Sequence, residues 1–225
     1  MVIGGQFTTV NGTPHVNLAA IDIDTGLVAP WGVHALGGAV LALATWRDRG
    51  VVGGAFTQLA GTNGLQQRRS LGIATVGGTV VSFDAELSTG AFDAVSAVEV
   101  AGNSLYAGGS FSSTRSQPRR NGAAYDLETS ALLPWDPGVL TAGPILSVST
   151  WGGVTYIGGS FFFFPGGAAR PGVARVDAVT GALASWSPVG PWLPVRAVAA
   201  TEAGVVVSSE REGLFFYAET ATAGP

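Results

Sequence analysis

The stretch "VTYIGGSF", Val154 to Phe161, decides the fold, because its Gly-Gly-x-Phe core occurs four times in the chain. "GGQF" starts at Gly4, "GGAF" at Gly53, and "GGSF" at Gly108 and Gly158. Steps of about 50 residues belong to propeller blades and other repeat arrays. A second marker keeps the same step. Trp31, Trp135 and Trp186 close the segments "LAAIDIDTGLVAPW", "GAAYDLETSALLPW" and "GVARVDAVTGALASW", and Phe83 takes that place in "LGIATVGGTVVSF"; these aromatics are 52, 52 and 51 residues apart.

Each unit parses into four strands. "AVLALAT" (39–45), "AVSAVEV" (94–100), "PILSVST" (144–150) and "VRAVAAT" (195–201) are small-residue strands suited to crowding around an axis. The glycine-phenylalanine strand follows, then a strand of the "LAAID" type, then one running into the aromatic. Between the last two lie "DIDTG", "DLETS" and "DAVTG", where Asp and Thr bond local backbone and Gly takes positive φ. The expected fold is therefore all-β, a β-propeller-like array of four-stranded antiparallel blades. It forms a single domain over 1–225, with units near 1–38, 39–93, 94–143, 144–194 and 195–225. An open β-solenoid is the alternative.

Packing accounts for the markers. The pairs Gly4–Gly5, Gly53–Gly54, Gly108–Gly109 and Gly158–Gly159 let a neighbouring strand approach, and Phe7, Phe56, Phe111 and Phe161 fill the gap between sheets. Trp31, Phe83, Trp135 and Trp186 supply large buried area. All these residues read as structural.

Composition narrows function. The 225 residues are 47% hydrophobic, enough for a large core, with no apolar run of membrane-spanning length. The chain has no cysteine, its 11 basic residues are all arginine, and its histidines are His15 and His34. That removes thiol nucleophiles, Schiff-base or phosphate-loop lysines and three-histidine metal sites. A net charge of −4 argues against nucleic acid. No cofactor, metal or catalytic residue is expected.

"YIGGSF", "GGQFTTVNGTPHVNLAAIDIDTG" and the Pro-Trp ending resemble the delta-60 repeat family, bacterial β-propeller-like repeats of large secreted or surface proteins. The likeness is strongest from Gly4 to Trp31 and weakest in the second unit, with "TNGLQQRRS" and Phe83. It implies an extracellular or cell-surface location and brings no catalytic residues. The turn-plus-tryptophan segment also resembles repeats of quinoprotein dehydrogenases and outer-membrane assembly propellers, with a Gly-to-Trp spacing one residue longer than theirs.

Counting strands, the chain opens on the second strand of one blade, runs through three full blades and ends in three strands of a fifth. About four and a half blades result. The first blade lacks its inner strand, and Ser208 and Ser209 replace the glycine pair of the fifth. The expectation is an incomplete segment of a larger propeller, or a divergent copy that closes imperfectly, with the remaining blades as partners. No charged region, apolar run and cleavage site precede the first strand, so any signal peptide is expected upstream of Met1.

The loops between second and third strands carry His15, Arg68, Arg69, Arg115, Arg119, Arg120 and Arg170, while the later turns carry Asp22, Asp24, Asp126, Glu128 and Asp177. Seven extended residues separate the sets, about 23 Å, so the molecule should be polar across its thickness. The arginines either brace loops by bonding carbonyls or bind an anionic partner such as an acidic glycan. "SFFFFPGG" places Phe162, Phe163 and Phe164 on the arginine face with Trp192, where an interface is expected. Trp46 and Trp151 sit at hairpins on the opposite face, suited to turn packing or sugar stacking. Together these residues point to a noncatalytic module binding protein or glycan. The alternative is the propeller part of a glycan-active or quinone-dependent enzyme.

Overall fold

The computed structural model describes residues 1–88, 93–140, 143–188, 190 and 193–218. No helix is long and apolar enough to cross a membrane among them. The first unit holds β1 (Val2–Gly4), a hairpin of β2 (Thr9–Val10) and β3 (Thr13–Pro14), and β4 (Leu18–Ala20). After β5 (His34–Leu36), the second has β6 (Val40–Trp46), β7 (Arg49–Gly54), a hairpin of β8 (Gln58–Gly61) and β9 (Gly64–Gln67), and β10 (Leu71–Thr75). The third has β11 (Ala94–Ala101), β12 (Ser104–Ser110), a hairpin of β13 (Ser113–Thr114) and β14 (Gln117–Pro118), and β15 (Gly122–Asp126). The fourth has β16 (Ile145–Trp151), β17 (Val154–Gly159) and β18 (Val173–Asp177); the fifth has β19 (Val195–Thr201), β20 (Gly204–Ser209) and β21 (Gly213–Ala218).

Units two to five each form a three-stranded antiparallel sheet, and the first forms the pair β1–β4. The expected fourth strand is reduced to one bridge in each of four units: Ile21 with Val28, Ala74 with Val80, Tyr125 with Leu132 and Val176 with Leu183. In units one, three and four an aspartate turn lies between the bridge partners, and in the second unit the turn at Thr75–Thr79 takes its place. Asp126 Oδ1 accepts from the Glu128 amide at 3.0 Å, the Thr129 amide at 2.6 Å and the Thr129 hydroxyl at 2.8 Å, and Asp22 and Asp177 build the same turn. The chain then reverses so tightly that Pro134 and Trp135 follow within a few residues of the bridge. Proline also denies the ladder a donor there.

The core lies between the sheets, not inside any one of them. Four buried clusters fill the four gaps, each drawing on two consecutive units. Strand alternation sets this up: in β12, Leu105 and Ala107 face the second unit, while Tyr106 faces the fourth. The strand-ending aromatic plugs the outer part of the gap. Trp135 is fully buried and meets Tyr106 edge-on at 5.3 Å; Phe83 meets Tyr125 and Trp186 meets Tyr156 in the same way at 5.3 Å.

Each glycine of the pairs has its own reason. A Cβ at Gly53 would lie 2.8 Å from Val95, and one at Gly158 would lie 2.7 Å from Val195; Gly4 and Gly108 would meet Val40 and Ile145 more closely still. The first glycine is thus the notch that receives the next unit's first strand. A Cβ at the second glycine, Gly54, Gly109 or Gly159, would strike a backbone carbonyl of its own unit, that of Ala39, Ala94 or Pro144. A register shift at the start of β6, β11 and β16 pushes that carbonyl inward.

The first and fifth units share neither a sheet nor a buried cluster among the described residues. Further links run between sequence neighbours. The β5 segment joins the β8–β9 hairpin as a third strand, Leu87 bridges Thr114, and the Leu140 amide bonds the Phe163 carbonyl. The exit segments of units one to three are therefore each zipped to the hairpin of the next unit.

Trp135→Ala should cost about 3–5 kcal/mol in urea unfolding, the range for a large aromatic truncated in a core. The buried indole N–H of Trp135 has no acceptor among the described residues, whereas that of Trp31 donates to the Thr75 carbonyl at 2.9 Å. Trp135→Phe should accordingly destabilise less than Trp31→Phe, and the reverse order would remove the unpaired donor from the explanation. The Thr129 and Thr180 amides, followed by their hydroxyls, hold Asp126 and Asp177 below the ordinary value of 3.8. A depressed folded pKa stabilises above the unfolded value and is lost as pH falls through the folded one. The stability gap between wild type and Asp126→Asn/Asp177→Asn should therefore be largest at neutral pH and narrow below pH 3.8; a constant gap would sink the assignment.

Candidate interaction surface

The hairpins between second and third strands gather the sequence-predicted arginines on one side of the sheets. Arg68, Arg119 and Arg170 occupy equivalent positions just before the third strand, and each reaches the shortened fourth segment of its own unit. Arg68 is buried and donates to the Val81 carbonyl from Nε and Nη2 at 3.3 and 2.9 Å, with Asp84 at 3.8 Å. Arg119 donates to the Leu133 carbonyl at 3.4 Å and lies 4.0 Å from Asp136. Arg170 donates to the carbonyls of Trp186 at 2.9 Å and of Ala184 and Ser185 at 3.3 Å. A segment with one ladder bridge leaves carbonyls unpaired, and guanidinium forks satisfy them.

Arg115 works across a gap. It donates to the Asp84 carbonyl of the second unit at 3.1 and 2.7 Å, and to the Ser130 carbonyl of its own. These four arginines brace. Arg120 is exposed and donates to the Leu140 carbonyl at 2.8 Å, and the Arg69 side chain is exposed with no hydrogen bond or ion pair among the described residues. In the first unit His15 stands at the bracing position, buried, its ring 5.4 Å from that of His34. Burial and then His15 lower the His34 pKa, and His34 Nδ1 accepts the Val16 amide.

The four phenylalanines divide. Phe161 and Phe164 are fully buried and meet edge-on at 5.6 Å, so Phe164 belongs to the core and not to the expected surface. The turn Pro165–Gly167, with Gly166 at φ 76°, folds the chain back after Phe164 and breaks simple alternation. Phe162 and Phe163 are 39% and 44% exposed, 5.5 Å apart. Leu140, 48% exposed, joins them through its backbone bond to Phe163, and Arg120 caps it. The result is an apolar patch with a guanidinium at its rim, where the third and fourth units meet. Trp192 lies outside the described residues.

On the opposite side Trp46 is buried under Arg47 and Arg49, whose guanidinium carbons lie 4.6 and 5.1 Å from its ring, and it donates toward Asn103 at 3.4 Å. Trp151 is 50% exposed. Arg47 pairs with Glu128, so cations sit among the acids there and the expected division of charge is incomplete. A cleft of about 390 Å³ between the first two units is lined by Trp31, Arg47, Asp48, Arg49 and Val76. Among the described residues no three His, Asp or Glu converge as metal ligands. The hairpin side exposes an apolar patch and the guanidinium groups of Arg69 and Arg120.

Sequence reasoning missed two things here. It placed exit segments and hairpins on one face without pairing them, since two- and three-residue strands carry no periodic signal. It also did not see Leu140, an isolated apolar residue in a loop, as the third member of the phenylalanine patch.

Arg115→Ser should lower the melting temperature by roughly 3–10 °C, because charged hydrogen bonds across a gap are lost. Arg69→Ser should shift it by no more than about 2 °C. Equal effects in calorimetry would reject the division into bracing and free arginines.

No family model matches the chain, and no curated protein matches it. Solved structures do. The computationally designed Ika4 protein aligns with 80% of this chain and 91% of its own at TM-score 0.55 and 15% identity. BamB from Moraxella catarrhalis aligns with 92% of this chain at TM-score 0.50 and 13% identity, and this chain spans 54% of its length. Both are β-propellers, and the likeness is one of fold: the chain is all-β and propeller-like.

Proposed function

We propose that the chain is a run of about four and a half propeller blades, each four-stranded blade having its last strand cut to a single bridge, that serves as a noncatalytic binding module. The observation that carries this reading is the patch of Phe162, Phe163 and Leu140 beside Arg120. Two neighbouring exposed aromatics cost solubility and contribute nothing to the clusters between sheets, which Phe161 and Phe164 already fill. A partner segment with an apolar side chain next to a carboxylate fits both parts of the surface. Buried apolar contact would supply affinity, and the guanidinium would supply register. The likeness to delta-60 repeats supports an exported or cell-surface setting for this module.

Peptides selected on the wild-type chain from a random display library should be enriched in acidic residues next to aromatic or branched aliphatic ones. Phe162→Ser/Phe163→Ser should weaken the selected peptides at least tenfold while the melting temperature stays within about 2 °C. Selection that yields no such pattern, or binding indifferent to the double substitution, would reject the patch as the site.

A further inference from the structure

We propose that the His15–His34 pair is an acid-sensitive clasp, which holds the segment leaving the first unit against the second while the pair is neutral and releases it when His34 takes up a proton. The observation behind it is an exchange within the repeat. Arg68, Arg119 and Arg170 stand just before the third strand of their units and hold the shortened fourth segment with a permanently charged group. His15 has that position in the first unit, and its ring lies 5.4 Å from the ring of His34 on β5. There the brace is built from groups that titrate near neutrality.

The strand at stake is β5, which lies between residues 15–17 of the first unit and β8 of the second. The Ala35 amide bonds the Val16 carbonyl at 3.0 Å, the Asn17 side chain donates to the Ala35 carbonyl at 3.0 Å, and His34, Ala35 and Leu36 pair with Ala60, Leu59 and Gln58. The Val16 amide completes the seam by donating to His34 Nδ1 at 3.2 Å. That bond fixes the place of the proton. A neutral His34 that accepts at Nδ1 carries its hydrogen on Nε2, which leaves the ring no lone pair for a metal. A protonated His34 turns an N–H toward the Val16 N–H, and the seam loses an acceptor and gains a repulsion.

Nothing around the pair compensates a positive charge. The segment before β4 contributes His15, whose Nδ1 is buried without a partner among the described residues, while residues 29–36, β8 and β9 contribute no ionisable side chain besides His34. Arg68 and Arg69 follow β9 and add only further positive charge, and the chain has no Asp or Glu between Asp24 and Asp48 or between Asp48 and Asp84. Burial, followed by His15, accordingly lowers the His34 pKa from 6.5. A histidine with a depressed folded pKa binds its proton more readily in the unfolded chain, so its stabilisation is complete above 6.5 and is lost as pH falls through the folded value. Release uncovers Val33 and Ala35, both fully buried in the clasped form. The arginine-braced units keep their links over the same range, since guanidinium groups do not titrate there.

The test is a pH titration of the full chain followed by NMR. The His34 imidazole should titrate below 6.5. With the same midpoint, protection of the Val16 and Ala35 amides from hydrogen exchange, corrected for the intrinsic pH dependence of exchange, should fall by about tenfold or more. Protection of the Leu140 amide, which bonds the Phe163 carbonyl at the seam between the third and fourth units, should stay constant. His34→Asn offers Oδ1 where Nδ1 accepts and does not titrate in this range, so both first-unit amides should remain protected throughout; if that variant does not fold, the wild-type titration decides alone. A His34 midpoint at or above 6.5, Val16 protection that ignores the titration, or the same loss in folded His34→Asn would overturn the clasp. Loss at Val16, Ala35 and Leu140 together would overturn it in favour of general acid unfolding.

Discussion

The whole array depends on one steric fit, the insertion of a β-branched side chain from one unit into the notch left by a glycine of the unit before. Val95 reaches over Gly53, Ile145 over Gly108 and Val195 over Gly158. Backbone and side chain approach so closely that the first strands of successive sheets become neighbours, and the remaining width of each gap opens outward. That wedge shape explains why bulky groups are graded along it: valines at the narrow end, Phe56, Phe111 or Phe161 at the hairpin side, and an aromatic plug at the rim. Dense packing tolerates neither a larger residue at the notch nor a smaller one at the rim.

Four gaps of this kind make the molecule nearly one-dimensional in its energetics, because each cluster belongs to two neighbouring units and to no others. Conventional pairing within a sheet is modest, with three strands and one bridge. What compensates is a layer of cross-links: exit segments added to the following hairpins, arginines bound to the carbonyls of the shortened fourth strand, and Arg115 joining two units. The cationic surface is thus mostly committed to holding the fold.

The sequence made the repeat legible because the positions under greatest steric pressure repeat without change. Glycine pairs, the phenylalanine two residues on and the closing aromatic could be read directly, and so could the strands at 94–100 and 195–201. The serines at 208 and 209 of the fifth unit were legible for the same reason. Hairpins of two-residue strands were not, since no period can be counted in "TV" or "QP". Alternation allowed one or two of Phe162, Phe163 and Phe164 to point inward but could not say which, and Leu140 was overlooked because its neighbours in space are distant in sequence. The arginines were legible as a set, and the choice between bracing and binding required the carbonyls of the shortened strand.

Ser147 and Ser149 of β16 accept the amides of Val198 and Ala200 at 3.0 Å, and the Thr150 amide bonds Glu99 of β11. Units three and four thus offer side-chain oxygens forward to the bare amides of their successors, a polarity laid over the steric fit. The fifth unit has Ala197 and Ala199 at those positions and Ser208 in place of the notch. The face that the fifth unit turns away from the fourth therefore lacks both the side-chain oxygens and the notch by which the fourth unit receives the fifth.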